Sequence, residues 1–221
     1  MTDILDQSGN LATALVDRHI AATEGNQRAL RYGEKNYSFH DLAALMNRAG
    51  NVMRTLGVES GQPVLIIIPP SPAFFAAILG AMKIGAIPIV PAETVTVGLL
   101  RGALAHAAPA AVLIDRARWD EFGPILRGLN IVVAGDAPDG FPSLVDMLRE
   151  APSSLSAAQL DNSAEALTIL RGAGAQTVSH QRLAERLENG TPLGVGIAGG
   201  DLGDMMARLS RCEEITLTPN S

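Results

Sequence analysis

The glycines between residues 194 and 201 are the first candidates for chemistry. Gly194, Gly196 and Gly199 have the spacing of a dinucleotide-binding fingerprint, in which a glycine-rich turn at a helix start holds a pyrophosphate. That fingerprint must directly follow a strand, and here the strand would have to end unusually early. We therefore interpret 194–201 as a glycine-rich turn between the last strand and the last helix.

Acid–base and nucleophilic candidates are few. His40 and Asp41 are adjacent, but neighbours on a helix point apart, and both fit the first turn of a helix. Ser179 and His180 together with Cys212 suggest a nucleophile and its base. Ser179 is better explained as a helix cap, however, and no motif supplies an acid to orient the histidine. We predict no catalytic residue in this chain.

Metal ligands are equally sparse. Cys212 is the only cysteine, which excludes an internal disulfide and a cysteine-based metal cluster, and it is interpreted as a thiol near a helix end. His19 and His106 lie in patterned helices and are too scattered for a metal site. The sequence therefore predicts no metal site. The aromatic residues are interpreted as core or interface side chains rather than as an aryl-binding site; they are Phe74, Phe75, Trp119 and Phe122.

Composition and charge restrict the class of protein. The 221 residues are 47% hydrophobic and 18% charged, which is typical of a globular α/β domain with a sizeable core. A net charge of −6 without any lysine or arginine run argues against a nucleic-acid partner. The acidic start and the absence of an eighteen-residue apolar run argue against a signal peptide and a membrane span. We expect a cytoplasmic protein.

The pattern of strands and helices predicts the fold class. Two short strands at 28–33 and 36–38 form a small N-terminal hairpin, and Ser38 with Asp41 caps a helix that ends at Gly57. Apolar strands then alternate with helices, and a run such as 63–68 fits a strand buried on both faces. The remaining predicted strands are 86–90, 110–114, 131–134 and 166–170.

Strands and helices that alternate in this way predict an α/β fold, with a mostly parallel sheet and helices on both faces. Residues 1–160 are assigned to one α/β subdomain. Residues 161–221 are assigned to a continuation with a glycine-containing loop and a closing strand–helix–strand segment, packed on the same sheet. The stretch 150–162 is interpreted as a surface connection.

The order of short motifs along the chain resembles the opening of adenylate-forming acyl-CoA synthetases, and is most similar to the benzoate-type aryl-CoA ligases. The resemblance is specific as far as about residue 115, and it continues more weakly as far as about residue 186. The motifs that carry it are 10–19, 29–33, 41–43, 47–51, 56–58, 61–65, 69–75 and 79–89. It implies the fold of the amino-terminal subdomain of these ligases. It also implies a two-step reaction, in which a carboxylic acid attacks ATP to form an acyl-adenylate and CoA then displaces AMP.

The resemblance places a phosphate-binding loop after the strand 166–170. In the family this loop is rich in Ser, Thr and Gly and ends in a Pro-Lys-Gly, and its amides, hydroxyls and ammonium cradle the ATP phosphates. Here the position holds a shorter, degenerate loop over 171–178, followed by a helix that Ser179 caps. Its candidate nucleotide-binding residues are Arg171, Gly172, Gly174, Gln176 and Thr177.

This loop has lost most of the groups that the family uses. Thr177 is its only hydroxyl residue, and the two lysines of the chain, Lys35 and Lys83, lie far upstream. Arg171 is at the other end of the loop from the family's lysine, and its planar fork does not replace an ammonium. The family's adenine, ribose, Mg²⁺ and acid-binding residues lie beyond the loop, and 189–221 matches none of them. We expect no resident cofactor and at most weak binding of ATP or AMP.

Three hypotheses follow from the resemblance. The leading one is a ligase-like chain that is not catalytic by itself and serves as a binding or interaction module. The second is one half of a split ligase that needs a partner chain, and the third is a truncated or frameshifted product. The first two predict an exposed apolar face that a second copy or a protein partner covers.

Overall fold

The predicted N-terminal hairpin and the helix after it are present in the computed structural model, which describes residues 4–5, 8–161, 163–172, 174–197 and 200–219. A helical segment precedes them; it is π-helical over Thr13–Asp17 and continues as α1 (Arg18–Ala21). The hairpin consists of β1 (Arg28–Tyr32) and β2 (Lys35–Ser38), and α2 spans Phe39–Thr55.

The cap of α2 follows the sequence prediction. The Ser38 hydroxyl accepts a hydrogen bond from the Asp41 amide at 3.2 Å, and the Asp41 carboxylate accepts one from the Ser38 amide at 2.9 Å. This reciprocal pair satisfies two amides at the helix start that have no partner within the helix.

Strands and helices then alternate as the sequence predicts. The elements are β3 (Pro63–Ile67), α3 (Pro72–Lys83), β4 (Ile87–Pro91), α4 (Val97–His106), β5 (Ala111–Asp115), α5 (Arg116–Leu126), β6 (Ile131–Ala134) and α6 (Leu144–Glu150). The short helix α6 was not predicted, because its seven residues hold too few turns to give a helical period. None of the helices in the part of the chain that the structure describes is long and apolar enough to cross a membrane.

The remaining elements add two strands to the sheet that contains β3 to β6, form a separate two-stranded hairpin, and end beside the N-terminal hairpin. They are β7 (Glu165–Arg171), β8 (Gly174–Ser179), α7 (His180–Glu188), β9 (Gly196–Ile197), β10 (Gly200–Asp201), α8 (Leu202–Ser210) and β11 (Ile215–Leu217). The last strand, β11, pairs in parallel with β1 and completes a three-stranded sheet, β11-β1-β2.

The central sheet has six strands in the order β6-β5-β3-β4-β7-β8. All neighbours are parallel except β7 and β8, which are antiparallel. Alternate residues of β3 face different cores: Val64 and Ile66 pack on one side, and Leu65 and Ile67 on the other. This burial on both faces explains the continuous apolar run and confirms the predicted α/β fold with helices on both sides.

Helices α2 and α3 approach each other closely at two glycines. A Cβ added to Gly80 would lie 2.7 Å from the Gly50 amide nitrogen and 2.7 Å from the Met46 carbonyl oxygen. Only residues without a side chain allow this backbone contact. Lys83, in the last turn of α3, is buried nearby and donates to the Asp17 carboxylate at 2.6 Å and to the Asn47 side-chain oxygen at 2.7 Å.

Candidate functional site

The position of the expected phosphate loop is occupied by a tight β-hairpin. Strand β7 runs to Arg171 and β8 begins at Gly174, so most of the stretch 171–178 is strand and the prediction of a loop there was wrong. Gly172 takes a φ of 51°, which glycine adopts without strain, and residue 173 lies outside the described residues. The Thr and Val residues of this stretch favour the extended conformation, and pairing with β7 stabilises it.

Two donors at the turn of this hairpin are bound to protein groups. The Gly172 amide donates to the Glu93 carboxylate at 2.6 Å, and the Arg171 guanidinium donates to the Leu193 carbonyl oxygen. An amide that a phosphate would need therefore faces a carboxylate. A negative charge at this distance repels a second anion.

The other candidate residues lie along β8. The Thr177 hydroxyl is 2.9 Å from the Thr168 hydroxyl of β7, so it is used in a cross-strand hydrogen bond. Gln176 pairs with Ile169 in the ladder, and its side chain is exposed, as are Gly174 and Thr177. The structure thus brings the five candidates into one hairpin but spreads them along a strand, instead of around an anion-sized loop.

A crevice of about 400 Å³ opens at the carboxyl ends of the parallel strands. Pro69 and Pro70 after β3, Glu93 after β4, and Asp115 with Arg118 at the start of α5 contribute to its lining. Ligands of open α/β sheets bind at this edge. Sequence reasoning missed these residues, although each follows the end of a predicted strand, which is a signal that could have identified them.

The polar groups of the crevice are largely used within the protein. Arg118 donates to the Val95 carbonyl oxygen at 2.8 Å, pairs with Glu121 at 3.0 Å, and lies over the Phe122 ring at 4.6 Å. The Asp115 carboxylate accepts the Ala117 amide at the start of α5. The other residues that line the crevice are mainly apolar.

The other sequence candidates have structural roles. Ser179 caps α7 by accepting the Arg182 amide at 3.3 Å. His180 is fully buried, and its Nδ1 accepts the Leu11 amide at 3.1 Å, while Nε2 has no partner within the described residues. Burial lowers the pKa of His180 to about 4. Burial and then the Glu24 carboxylate raise the pKa of the Cys212 thiol to about 11, which does not suit a nucleophile.

The glycine-rich stretch 194–201 precedes α8, as expected, but it is not simply a turn. Its residues 196–197 and 200–201 pair as β9 and β10, and Gly199 lies outside the described residues. Phe74, Phe75 and Phe122 are buried, in agreement with a core role. Trp119 packs on Phe141 with ring centroids 4.3 Å apart.

The comparisons with known proteins agree with the motif order. The sequence model of the AMP-binding enzyme family matches residues 16–139. Acetyl-coenzyme A synthetase of Bacillus subtilis (strain 168) is 35% identical over 141 residues, which are 59% of this chain and 24% of that protein. Benzoate–CoA ligase of Thauera aromatica is 28% identical over 154 residues, which are 67% of this chain and 29% of that protein.

Solved structures share the fold. An anthranilate CoA ligase in complex with anthranoyl-AMP has a TM-score of 0.84 at 20% sequence identity, over 100% of this chain and 47% of that one. A benzoate CoA ligase from Burkholderia xenovorans LB400 has a TM-score of 0.79 at 20% identity, over 96% of this chain and 45% of that one. The chain therefore spans less than half the length of these relatives. Because the matched residues 16–139 are more than half of its 221 residues, the chain belongs to the AMP-binding enzyme family.

Proposed function

We propose that this chain does not adenylate a carboxylic acid by itself and acts as a binding or interaction module built on an acyl- or aryl-CoA ligase fold. The observation that carries the proposal is the contact between the Gly172 amide and the Glu93 carboxylate. It places a negative charge at the turn where a phosphate-binding loop of the family would hold a triphosphate.

The energetic argument concerns groups that stabilise charge as it develops on a phosphoryl group. Loss of one such preorganised donor typically costs about 3 kcal/mol in the transition state. The hairpin lacks the family's loop lysine, its hydroxyl Thr177 is bound to Thr168, and its Arg171 is bound to a carbonyl. Several losses of this size together would leave the adenylation reaction very slow.

The test of this proposal is calorimetric titration of the isolated chain with ATP·Mg²⁺ and with AMP, together with an assay of pyrophosphate release in the presence of benzoate. We expect no pyrophosphate release, and nucleotide binding no tighter than about 1 mM. Turnover of ATP by the purified chain alone would refute the proposal.

A charge variant tests the role of the carboxylate. Glu93→Gln keeps the size of the side chain and removes its charge, so AMP or inorganic phosphate should bind more tightly than to the unaltered chain. Glu59→Gln, an exposed residue at another position, is the matched control and should change nothing. Equal affinity in both variants would show that the Glu93 charge does not exclude anions.

The partner surface that we propose is the open edge of the sheet at β8. The large hydrophobic residues exposed in the described parts of the chain are Val97, the first residue of α4, and Val145 in α6. Two isolated residues do not form the broad apolar face expected from the sequence. Strand β8, by contrast, ends the sheet, and no strand in the part of the chain that the structure describes pairs with its outer side. A second copy or a protein partner can add a strand there.

Sedimentation velocity over a range of concentrations tests this surface. We expect self-association or capture of a partner to weaken in Gln176→Lys, because a charge on an edge strand opposes strand addition. Lys substitution of the exposed Gln181 on α7 is the control and should leave association unchanged. Association that is equal in both variants would exclude the β8 edge.

The alternative is one half of a split ligase that becomes active with a second chain. It is favoured by the match of the whole chain to part of the anthranilate CoA ligase structure. Adding the remaining portion of a benzoate CoA ligase to the chain tests it: pyrophosphate release that requires both polypeptides supports the split enzyme. No release from the mixture favours the interaction module.

A further inference from the structure

Three side chains that sequence reasoning did not connect meet between α1 and the end of α8. The donor atoms of His19, Glu24 and Cys212 all lie within 4.8 Å of one another. His19 is buried, with 4% of its surface exposed, while Glu24 and Cys212 are half-buried. The cluster therefore has a closed inner side and an outer side that solvent can reach.

The hydrogen bonds of His19 make the cluster electrostatically unusual. Its Nε2 lies 2.8 Å from the Leu209 carbonyl oxygen, which can only accept, so Nε2 carries a hydrogen. In the neutral imidazole, the lone pair of Nδ1 then faces the Glu24 carboxylate oxygen at 2.9 Å. Two lone pairs at this distance repel unless a positive charge lies between them. A metal ion bound between them supplies such a charge.

The carboxylate is suited to this role. Hydrogen bonds from His19 and then Cys212 lower the pKa of Glu24, so it is ionised at neutral pH. The bond from His19 Nε2 to a backbone carbonyl is also the outer contact that metal-binding histidines commonly make, because it orients the ring and fixes the tautomer.

The backbone at the cluster is exceptional. Among the described residues, the non-glycine residues with φ in the left-handed region are Thr23 at 66° and Cys212 at 61°. Thr23 directly precedes Glu24, and Cys212 is itself a donor. Glycine is the usual residue at such positions after a helix end. The chain thus places a left-handed backbone at one of the three donors and directly before another.

We propose that His19 Nδ1, the Glu24 carboxylate and Cys212 Sγ bind one zinc ion, with the fourth position open to water. A nitrogen, an oxygen and a sulfur donor form a set that suits this borderline-soft ion. Binding releases the Cys212 thiol proton to solvent as the Sγ–metal bond forms. The ion joins α1 to the segment after α8 and so fastens two parts of the chain that are about 190 residues apart.

The first test uses the untagged chain with and without ZnCl₂. Calorimetry should give one ion per chain, and the thermal midpoint should rise by roughly 5–10 °C at a free zinc concentration of about one hundred times Kd. Cobalt(II) should give thiolate-to-cobalt charge-transfer absorption, which reports a Cys212 bond directly. Absence of both the midpoint shift and the cobalt band overturns the proposal.

Cys212→Gly is the most informative variant, because glycine fits the left-handed backbone there. This variant should fold, and its thermal midpoint without metal should equal that of the unaltered chain or lie up to roughly 2–4 °C above it. It should lose both the midpoint shift with zinc and the cobalt absorption band. Glu24→Gln should weaken zinc binding at least roughly tenfold. Glu59→Gln, an exposed carboxylate outside the cluster, is the matched control and should respond as the unaltered chain does. A zinc shift retained in Cys212→Gly overturns the proposal.

Discussion

The parallel strands β3 to β5 and the turn of the β7–β8 hairpin belong to one sheet but differ in the contacts that stabilise them. The parallel strands are stabilised by apolar side chains on both faces, with few polar contacts. The hairpin has a threonine pair within it, and its turn is held by contacts with Glu93 and Leu193 from other parts of the chain. Apolar packing of the parallel strands stabilises the family fold. The turn at the position of the family's phosphate-binding loop can therefore differ without loss of that fold.

The largest effect that we expect concerns the segment after the hairpin. His180 is buried and neutral in the folded chain with a pKa of about 4, whereas an unfolded histidine has a pKa of about 6.5. The unfolded state therefore binds more protons between these values. The contribution of His180 to the free energy of unfolding is complete above about pH 6.5. That free energy falls by about 3 kcal/mol as the pH drops to 4. Denaturant unfolding at several pH values measures this loss.

His180→Asn is the control for that pH dependence. The asparagine oxygen can accept the Leu11 amide in place of Nδ1, and the side chain does not titrate. The variant should be less dependent on pH over this range than the unaltered chain. An identical pH slope in the two proteins would mean that another group causes the acid sensitivity.

The next effect tests the packing of the parallel region. Gly80→Ala places a methyl group 2.7 Å from backbone atoms of α2, so the two helices must move apart, at a cost of about 2 kcal/mol in the free energy of unfolding. Gly102→Ala is the matched control on α4, where an added Cβ meets nothing within 4 Å. It should instead stabilise the chain by about 0.5–1 kcal/mol, because alanine favours a helix. The same sign for both substitutions would contradict the role assigned to the α2–α3 contact.

The smallest effect is expected in the hairpin turn. In Gly172→Ala the new Cβ meets no atom within 4 Å, so the substitution causes no steric clash. Alanine nevertheless disfavours the φ of 51° at this position. We expect a loss of about 1 kcal/mol with the fold retained, as measured by unfolding and by circular dichroism. A loss larger than that of Gly80→Ala would reverse the contrast between the two regions.

Much of the fold could be predicted from local signals. The Ser38–Asp41 capping box, the apolar run of β3 and the proline that begins α3 each act over a few residues, and each was confirmed. The short helix α6 and the extent of β8 could not be predicted with the same rules. A seven-residue helix gives little periodicity, and β8 depends on pairing with β7.

The candidate site was predicted less well, because its character depends on contacts between distant residues. Glu93 lies 79 positions from Gly172, and no local pattern indicates that its carboxylate reaches that amide. The cluster of His19, Glu24 and Cys212 was missed for the same reason: His19 was compared with another histidine, and its actual neighbours come from both ends of the chain.

The family, the alternation of strands and helices, and the loss of the loop lysine are visible in the amino-acid sequence alone. These features depend on residue types and on spacings of a few positions. Only the folded chain shows that the Gly172 amide and the Arg171 guanidinium are bound within the protein, that the crevice lies beside Glu93, and that His19, Glu24 and Cys212 meet. Such contacts arise when distant segments are packed together, and packing distances between them are not encoded in any short stretch of residues.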